Sequence, residues 1–308
     1  MYRGRRLLPV LLLLTVAIAA TAQEPSEQPV FRSSVDLVSM VVVVRDSKGR
    51  VVSTLGRDDF EVIDGGRSRP ILDVRSESVA PASVAILVDG SGSMNVGGTP
   101  GRSLELARHI SGAILGSLNP KRDDAALFSF DTRLLVLQDF TRDAAKIRAG
   151  LDEVGAWGST SLFDAIAGTA GIVSKRTGNR RAVVVLTDGA DTTSAYTPTE
   201  VSAIASAVDV PVYVFALAPP ISVDDTAGGQ RTATLTDLAR WTGGDLFIAN
   251  EPAAMAIAIN RLIEELRHQY VIAFESSPER GWRSVQLRTR KRGLTVRTRA
   301  WYLAGSSE

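Results

Sequence analysis

Residues 83–93, SVAILVDGSGS, change abruptly in character halfway along their length. Residues 84–88 are a continuous apolar run, whereas residues 89–93 are small and polar. An apolar run of this length, ended by glycines, is typical of a parallel strand that is covered on both faces. A helical pattern follows from about Arg102. We therefore expect the polar residues on a loop at the carboxyl edge of a parallel sheet, where open α/β sheets bind ligands.

The loop after this strand carries one carboxylate and two hydroxyls at alternate positions, Asp89, Ser91 and Ser93. The intervening glycines let the backbone turn tightly, so that the three side chains can share one concavity. Hard oxygen donors suit Mg²⁺, Mn²⁺ or Ca²⁺ rather than zinc. On its own, however, such a string is equally compatible with a turn that only ends a strand.

Two further segments supply side chains of the same kind. Residues 181–189, RAVVVLTDG, are a second buried strand that ends at Asp188. Residues 157–165, WGSTSLFDA, place Thr160 on a Gly-Ser-Thr loop before an amphipathic helix. In order and approximate spacing, the set closely resembles the metal-ion-dependent adhesion site (MIDAS) of the von Willebrand factor type A (VWA) domain. The set comprises Asp89, Ser91, Ser93, Thr160 and Asp188.

The resemblance covers residues 82–267 and implies a doubly wound, mostly parallel, Rossmann-like α/β sheet. It also implies metal-dependent protein binding. Asp89, Ser91, Ser93 and Thr160 would supply oxygen ligands, with Asp188 bound directly or through water, and a partner's Asp or Glu would complete the site. Mg²⁺ is the first choice of cation, with Mn²⁺ or Ca²⁺ as alternatives. Two acidic side chains leave a divalent ion under-neutralised, which favours an incoming carboxylate.

Three more residues belong to the same predicted edge. Asp131 and Asp191 either support the ligands from behind, or face solvent, or cap helices. Trp157, beside the Gly-Ser-Thr loop, either contacts a ligand or packs in the core. The sequence alone leaves these alternatives open.

Composition limits the other function classes. The 308 residues carry 35 Lys and Arg against 34 Asp and Glu, so no general attraction to nucleic acid or membranes is implied. The chain has no cysteine and only two histidines, His109 and His268, which leaves little material for a zinc site or a Ser-His-Asp triad. Neither a P-loop nor a G-x-S-x-G elbow is present. We expect a binding protein rather than an enzyme; a scaffold without a metal-dependent ligand and a Mg²⁺-dependent hydrolase are the alternatives.

The amino terminus resembles a secretion signal. Arg3, Arg5 and Arg6 precede an apolar stretch over residues 7–20, and Ala20-Thr21-Ala22 fits the cleavage pattern. We predict a signal peptide over residues 1–22 and a polar linker over residues 23–30. The mature protein would then be periplasmic, on the cell surface or extracellular, unless the segment stays as an uncleaved anchor.

The two flanks of the α/β region are rich in strand patterns. Residues 31–81 and 268–303 would each leave unpaired strand edges if they folded alone. We therefore predict that they pair into one small β-sandwich, with the VWA domain of residues 82–267 inserted between them. This order resembles a family of bacterial, acidobacteria-like secreted VWA-related proteins. The resemblance rests on RDDFEV at residues 57–62, the Gly-Ser-Thr loop and the basic tail that ends in Trp301-Tyr302.

Two local expectations concern helix boundaries. Thr141 is a suitable cap for a helix that begins near Ala144. Residues 219–231 are expected to be irregular, with a helix over residues 235–241.

Overall fold

The computed structural model describes residues 37–76, 80–95, 101–178, 180–188, 191–217, 226–248 and 252–305. These residues all belong to one compact unit, Val35–Glu308. The predicted signal peptide and linker lie outside the described residues. In the described segments, no helix combines the length and apolarity needed to cross a bilayer.

The strands follow in chain order. They are β1 (Leu37–Asp46), β2 (Phe60–Asp64), β3 (Arg67–Arg69), β4 (Ile71–Ser76), β5 (Ala82–Asp89), β6 (Asp124–Phe130), β7 (Leu134–Thr141), β8 (Arg180–Thr187), β9 (Val212–Ala216), β10 (Leu246–Ile248), β11 (Tyr270–Glu275), β12 (Gly281–Thr289), β13 (Leu294–Arg297) and β14 (Trp301–Ala304). The helices are α1 (Arg102–Ser117), α2 (Ala144–Asp152), α3 (Leu162–Ser174), α4 (Pro198–Ala207), α5 (Thr226–Thr242) and α6 (Pro252–Arg267).

Strand β5 lies inside a six-stranded sheet with the order β10-β9-β8-β5-β6-β7. All neighbours in this sheet are parallel except β6 and β7, which are antiparallel. Every residue of β5 is buried, as the continuous apolar run predicts for a strand covered on both faces. The carboxyl ends of β5, β6 and β8 therefore meet at one edge of the sheet.

Helices cover both faces of this sheet. On one face, α1, α2 and α6 pack apolar side chains such as Ile110, Ile147 and Leu262 against it. On the other face, α3, α4 and α5 contribute side chains such as Ile166 and Leu238. The doubly wound, mostly parallel α/β fold predicted from the sequence is confirmed.

The two ends of the chain form a pair of antiparallel sheets with the orders β13-β1-β11-β4 and β14-β12-β2-β3. Strand β1 pairs with β11 and β13, and β2 pairs with β12, so amino-terminal and carboxy-terminal strands alternate. The space between the sheets is filled by aromatic and branched side chains, including Phe60, Tyr270, Phe274 and Tyr302. The predicted pairing of the two flanks is present.

A helix covers residues 235–241 and another begins at Ala144, as expected, but the extent of the irregular segment and the identity of the cap are wrong. Helix α5 begins at Thr226, so part of the segment expected to be irregular is helical. Its two glycines do not break it, because a glycine costs a helix only about 1 kcal/mol. Helix α2 is capped by Asp143, whose carboxylate accepts from the Ala145 N–H. The Thr141 hydroxyl instead accepts a hydrogen bond from the N–H of Asp143, the capping residue itself.

Candidate functional site

Asp89 is the last residue of β5, and its side chain is fully buried. Its Oδ1 accepts from the Ser91 backbone N–H at 2.9 Å, and its Oδ2 accepts from the Thr187 hydroxyl at 2.5 Å. Burial raises the pKa of this carboxyl to about 6, although the hydrogen bonds from Ser91 and Thr187 oppose the shift. The charge of Asp188 raises the pKa further. The ionised form is thus poorly solvated, and a nearby cation would stabilise it.

Ser91 and Ser93 lie on the tight turn that follows β5. Ser91 is buried, Ser93 is half-buried, and their hydroxyl oxygens are 2.9 Å apart. Neighbouring oxygens around an octahedral Mg²⁺, each about 2.1 Å from the metal, stand about 3 Å apart. The two hydroxyls form a hydrogen bond, and the distance between their oxygens is also close to that between adjacent ligands of such an ion.

The turn is fastened to the loop that carries Thr160. The Trp157 N–H donates to the Gly90 carbonyl at 2.7 Å, and the Gly92 N–H donates to the Gly158 carbonyl at 3.1 Å. A Cβ on Gly90 would lie 3.0 Å from the Gly155 carbonyl oxygen. Only glycine fits here without displacing backbone, which explains why the turn is built from this residue.

Thr160 is buried, and its loop is held by the segment that follows Asp188. Its carbonyl accepts from the N–H groups of Thr192 and Thr193, and its own N–H donates to the Thr192 hydroxyl at 2.9 Å. Asp188 follows directly after β8 and is half-buried. The structure therefore places all five predicted ligands at the carboxyl edge of the sheet, on three connected loops.

The two accessory carboxylates make backbone contacts. Asp131 follows β6, and its carboxylate accepts from the Arg133 N–H at 2.9 Å and closes a turn. Asp191 accepts from the Leu162 N–H at 2.8 Å at the start of α3. Among the described residues, neither carboxylate hydrogen-bonds to a predicted ligand side chain. Both shape the loops that present the ligands.

Sequence reasoning missed two hydroxyl groups that support the site. Thr187 fixes one oxygen of Asp89 from the neighbouring strand. Ser194 donates to Asp191 at 2.5 Å and accepts from the Phe163 N–H at 3.0 Å. A polar residue at the end of an otherwise apolar strand was the available signal for Thr187. Nothing local distinguishes Ser194 from its neighbours.

The donor set fits a hard divalent cation. Two carboxylates and three hydroxyls are the oxygen ligands that Mg²⁺, Mn²⁺ or Ca²⁺ accept. In the described part of the chain, no three His, Cys, Asp or Glu side chains converge. A cation at this edge would therefore depend on hydroxyl oxygens as well as on Asp89 and Asp188.

Trp157 lies at the rim of this edge and does not pack in the core. The residue is 77% exposed, although its backbone N–H is hydrogen-bonded to the Gly90 carbonyl. The core-packing alternative for this residue is wrong. The exposed indole borders the turn that carries the predicted ligands.

Comparison with known proteins finds a family model that matches part of the central region. Residues 84–190 match the von Willebrand factor type A domain. No curated protein matches the chain.

Several solved structures are similar to this chain at low sequence identity. Proximal thread matrix protein 1 from the mussel byssus is 15% identical, with a TM-score of 0.50 over 66% of this chain and 51% of that one. A von Willebrand factor type A protein from Catenulispora acidiphila is 13% identical, with a TM-score of 0.49 over 89% and 76%. An aerotolerance-related membrane protein from Bacteroides fragilis NCTC 9343, with multiple mutations to serines, is 20% identical, with a TM-score of 0.48 over 60% and 99%.

Proposed function

We propose a binding function that starts from one finding: residues 84–190 of this chain match the von Willebrand factor type A domain. The domain supports a protein-interaction or adhesion-type module. On our proposal, the interaction depends on a divalent cation, with Mg²⁺ as the first choice. Asp89, Ser91, Ser93, Thr160 and Asp188 would hold this cation, and an Asp or Glu of a protein partner would complete its coordination. The predicted signal peptide supports an exported location.

The observation that carries the proposal is the environment of Asp89. Its carboxylate is fully buried, and no Lys or Arg among the described residues forms an ion pair with it. Buried carboxylates are normally paired, bound to metal or neutralised, because an isolated charge is costly to desolvate. Here the charge of another carboxylate, Asp188, adds to the cost of ionising Asp89. A divalent cation would offset both the desolvation of the Asp89 carboxylate and its repulsion from Asp188.

The chain's own residues prepare the site for this ligand. Hydrogen bonds from Ser91 and Thr187 orient the two oxygens of Asp89. The contacts of Gly92 with Gly158 and of Thr160 with Thr192 hold the three loops at fixed separation. A bound cation would supply a positive charge with room for an external carboxylate.

Calorimetric titration of Mg²⁺, Mn²⁺ and Ca²⁺ into the mature protein tests the proposal. Acetate is included in a parallel series, because it supplies the carboxylate that a partner would bring. We expect the wild type to bind a divalent cation and Asp89→Ala to lose this binding. Asp58→Asn, which removes an exposed carboxylate far along the chain from the site, is the matched control and should bind as the wild type does. A folded wild type that binds no cation in either series would contradict the proposal and favour the scaffold alternative.

The same preparation tests the enzyme alternative. We expect no turnover of simple ester or phosphoester substrates with Mg²⁺ present. Turnover that requires Mg²⁺ and disappears in Asp89→Ala would replace the binding function with a hydrolytic one.

A further inference from the structure

Trp157 is the most exposed large apolar side chain in the described part of the chain. Its exposed fraction is 77%, whereas those of Trp282 and Trp301 on the sandwich are 46% and 45%. Single exposed apolar residues are common on protein surfaces and need no explanation by themselves. The position of Trp157 and the way it is held distinguish it from such residues.

The backbone of Trp157 is bonded to the residue between two predicted ligands. Its N–H donates to the carbonyl of Gly90, which lies between Asp89 and Ser91. The next residue, Gly158, accepts from the N–H of Gly92, which lies between Ser91 and Ser93. The preceding residue, Ala156, is buried and anchors the loop. Trp157 is therefore fixed at the border of the candidate cation site.

The indole ring of Trp157 lies against the backbone of Gly155. A Cβ on Gly155 would lie 2.8 Å from the indole Nε1 and 2.9 Å from Cδ1, closer than real Cβ contacts. Gly155 thus lets the ring lie close against the backbone while most of its surface stays in water. An exposed indole on a fixed backbone has few rotatable bonds, so it loses little conformational entropy on binding, which suits an interface anchor.

We infer that Trp157 determines which acidic partners this site accepts. The partner is a protein surface on which the Asp or Glu that reaches the cation is bordered by an aliphatic or aromatic side chain, and that side chain packs on the indole. The chain neighbours of the ring, Gly155, Ala156 and Gly158, are uncharged, and the Asp131 carboxylate lies on the Gly158 side of the loop. The exposed indole therefore supplies an apolar contact beside the acidic site. This inference rests on the proposed cation-dependent function.

Selection from a library of random displayed peptides tests the inference. The mature wild-type protein is the target with Mg²⁺ present, and bound peptides are released with EDTA. We expect the released peptides to be enriched in Asp or Glu with an apolar residue within two positions. The best synthetic peptide is then titrated against the variants. Tryptophan emission should shift to shorter wavelength in the wild type as Trp157 is buried.

The variants separate a contact from a structural effect. Trp157→Ser should weaken peptide binding about tenfold or more, while Trp157→Phe keeps an aromatic face and most of the affinity. Gly155→Ala displaces the ring without changing Trp157 and should weaken binding in the same direction. Trp282→Ser, the same substitution at an exposed tryptophan of the sandwich, should have no effect.

The outcomes distinguish the two proposals. EDTA-sensitive acidic peptides that show no apolar preference, or prefer basic neighbours, would overturn the inference about Trp157 and leave the cation-dependent function standing. If Trp157→Ser binds the peptide as tightly as the wild type, the inference about Trp157 is likewise overturned and the cation-dependent function stands. If no EDTA-sensitive acidic peptide is selected, both proposals fail.

Discussion

Asp89 combines two opposing demands on a single residue. Its carboxylate is held by Ser91 and Thr187 in a fixed orientation, yet it is buried beside Asp188. The pKa shift from 3.8 to about 6 measures this cost. At about 1.4 kcal/mol per unit, the ionised form costs the metal-free protein about 3 kcal/mol at neutral pH.

Replacement of Asp89 by Asn should therefore stabilise the metal-free protein. The Asn carbonyl can still accept from the Ser91 N–H, and its amide can donate to the Thr187 hydroxyl, so the hydrogen bonds are kept while the buried charge is removed. Urea unfolding in EDTA at pH 7 should show a gain of about 3 kcal/mol or somewhat less. The same variant should lose the cation binding of the wild type.

The pH dependence of this gain follows from the direction of the shift. The unfolded carboxyl ionises near pH 4 and the folded one near pH 6. Between these values the folded state binds more protons, so the stability of the wild type falls as the pH rises through this window. The advantage of Asp89→Asn should shrink as the pH is lowered from 7 towards 4. An advantage that stays constant over this range would show that the buried charge is not its cause.

Individual site residues differ in how far the sequence reveals them. Apolar strands and a helix start mark the loops that carry Asp89, Ser91, Ser93, Thr160 and Asp188, whereas their choice as one ligand set comes from the resemblance to the MIDAS motif. Thr187 could not be assigned, because its bond to Asp89 joins residues 98 positions apart on neighbouring strands. The five proposed ligands lie at one edge; their metal binding stays a prediction.

The first turn of helix α3 is capped by residues from a different part of the chain. Ser161 is at its N-cap but makes no side-chain capping bond. Asp191 and Ser194, from the loop after β8, accept hydrogen bonds from Leu162 and Phe163 in its first turn. Sequence-based prediction expects a capping side chain at the residue that precedes the helix. It cannot identify this cap, because the acceptors come from a separate segment of the chain.

Loss of the Asp191 cap should destabilise the protein and loosen the candidate site. We expect Asp191→Ala to cost about 1 to 2 kcal/mol in urea unfolding, since a cap and its bond to Ser194 are removed. Asp191→Asn keeps the acceptor oxygen and should lose much less. Equal losses in the two variants would mean that the charge, rather than the capping hydrogen bond, is what matters.

Strands were easier to predict than their partners. The apolar runs of β5, β8 and β9 identify buried parallel strands without any knowledge of the rest of the chain. In the sandwich, alternating patterns predict strands and unpaired edges predict that the two flanks pair. The order β13-β1-β11-β4 depends on side-chain packing between the sheets, which these patterns do not contain.

On the scale of the whole molecule, helix α6 joins the α/β layers to the sandwich through a buried charge. Glu265 on α6 is fully buried and accepts from Arg45 of β1 at 2.7 Å. Its other oxygen accepts from Arg297 of β13, which also pairs with Asp245 at 2.8 Å. Arg45 and Arg297 are 220 and 32 residues away from Glu265 in the sequence, so no local sequence pattern predicts this network.

Removal of the central charge should weaken the connection between the two parts. Glu265→Gln leaves Arg45 and Arg297 without their shared carboxylate, and a broken buried pair of this kind costs about 3 to 5 kcal/mol. Glu264→Gln changes the exposed neighbour on the same helix and should cost little. Urea unfolding of the two variants gives the comparison.

Hydrogen exchange shows which part of the molecule loses stability in Glu265→Gln. In the wild type, amides of β1 and β8 should exchange with a similar free energy, because the network makes the sandwich and the central sheet open together. In Glu265→Gln, amides of β1 should exchange at a clearly lower free energy than those of β8, since the sandwich has lost its link to α6. If β1 and β8 stay equally protected, the apolar contacts alone hold the two parts together, and the buried charges only fix the orientation of α6.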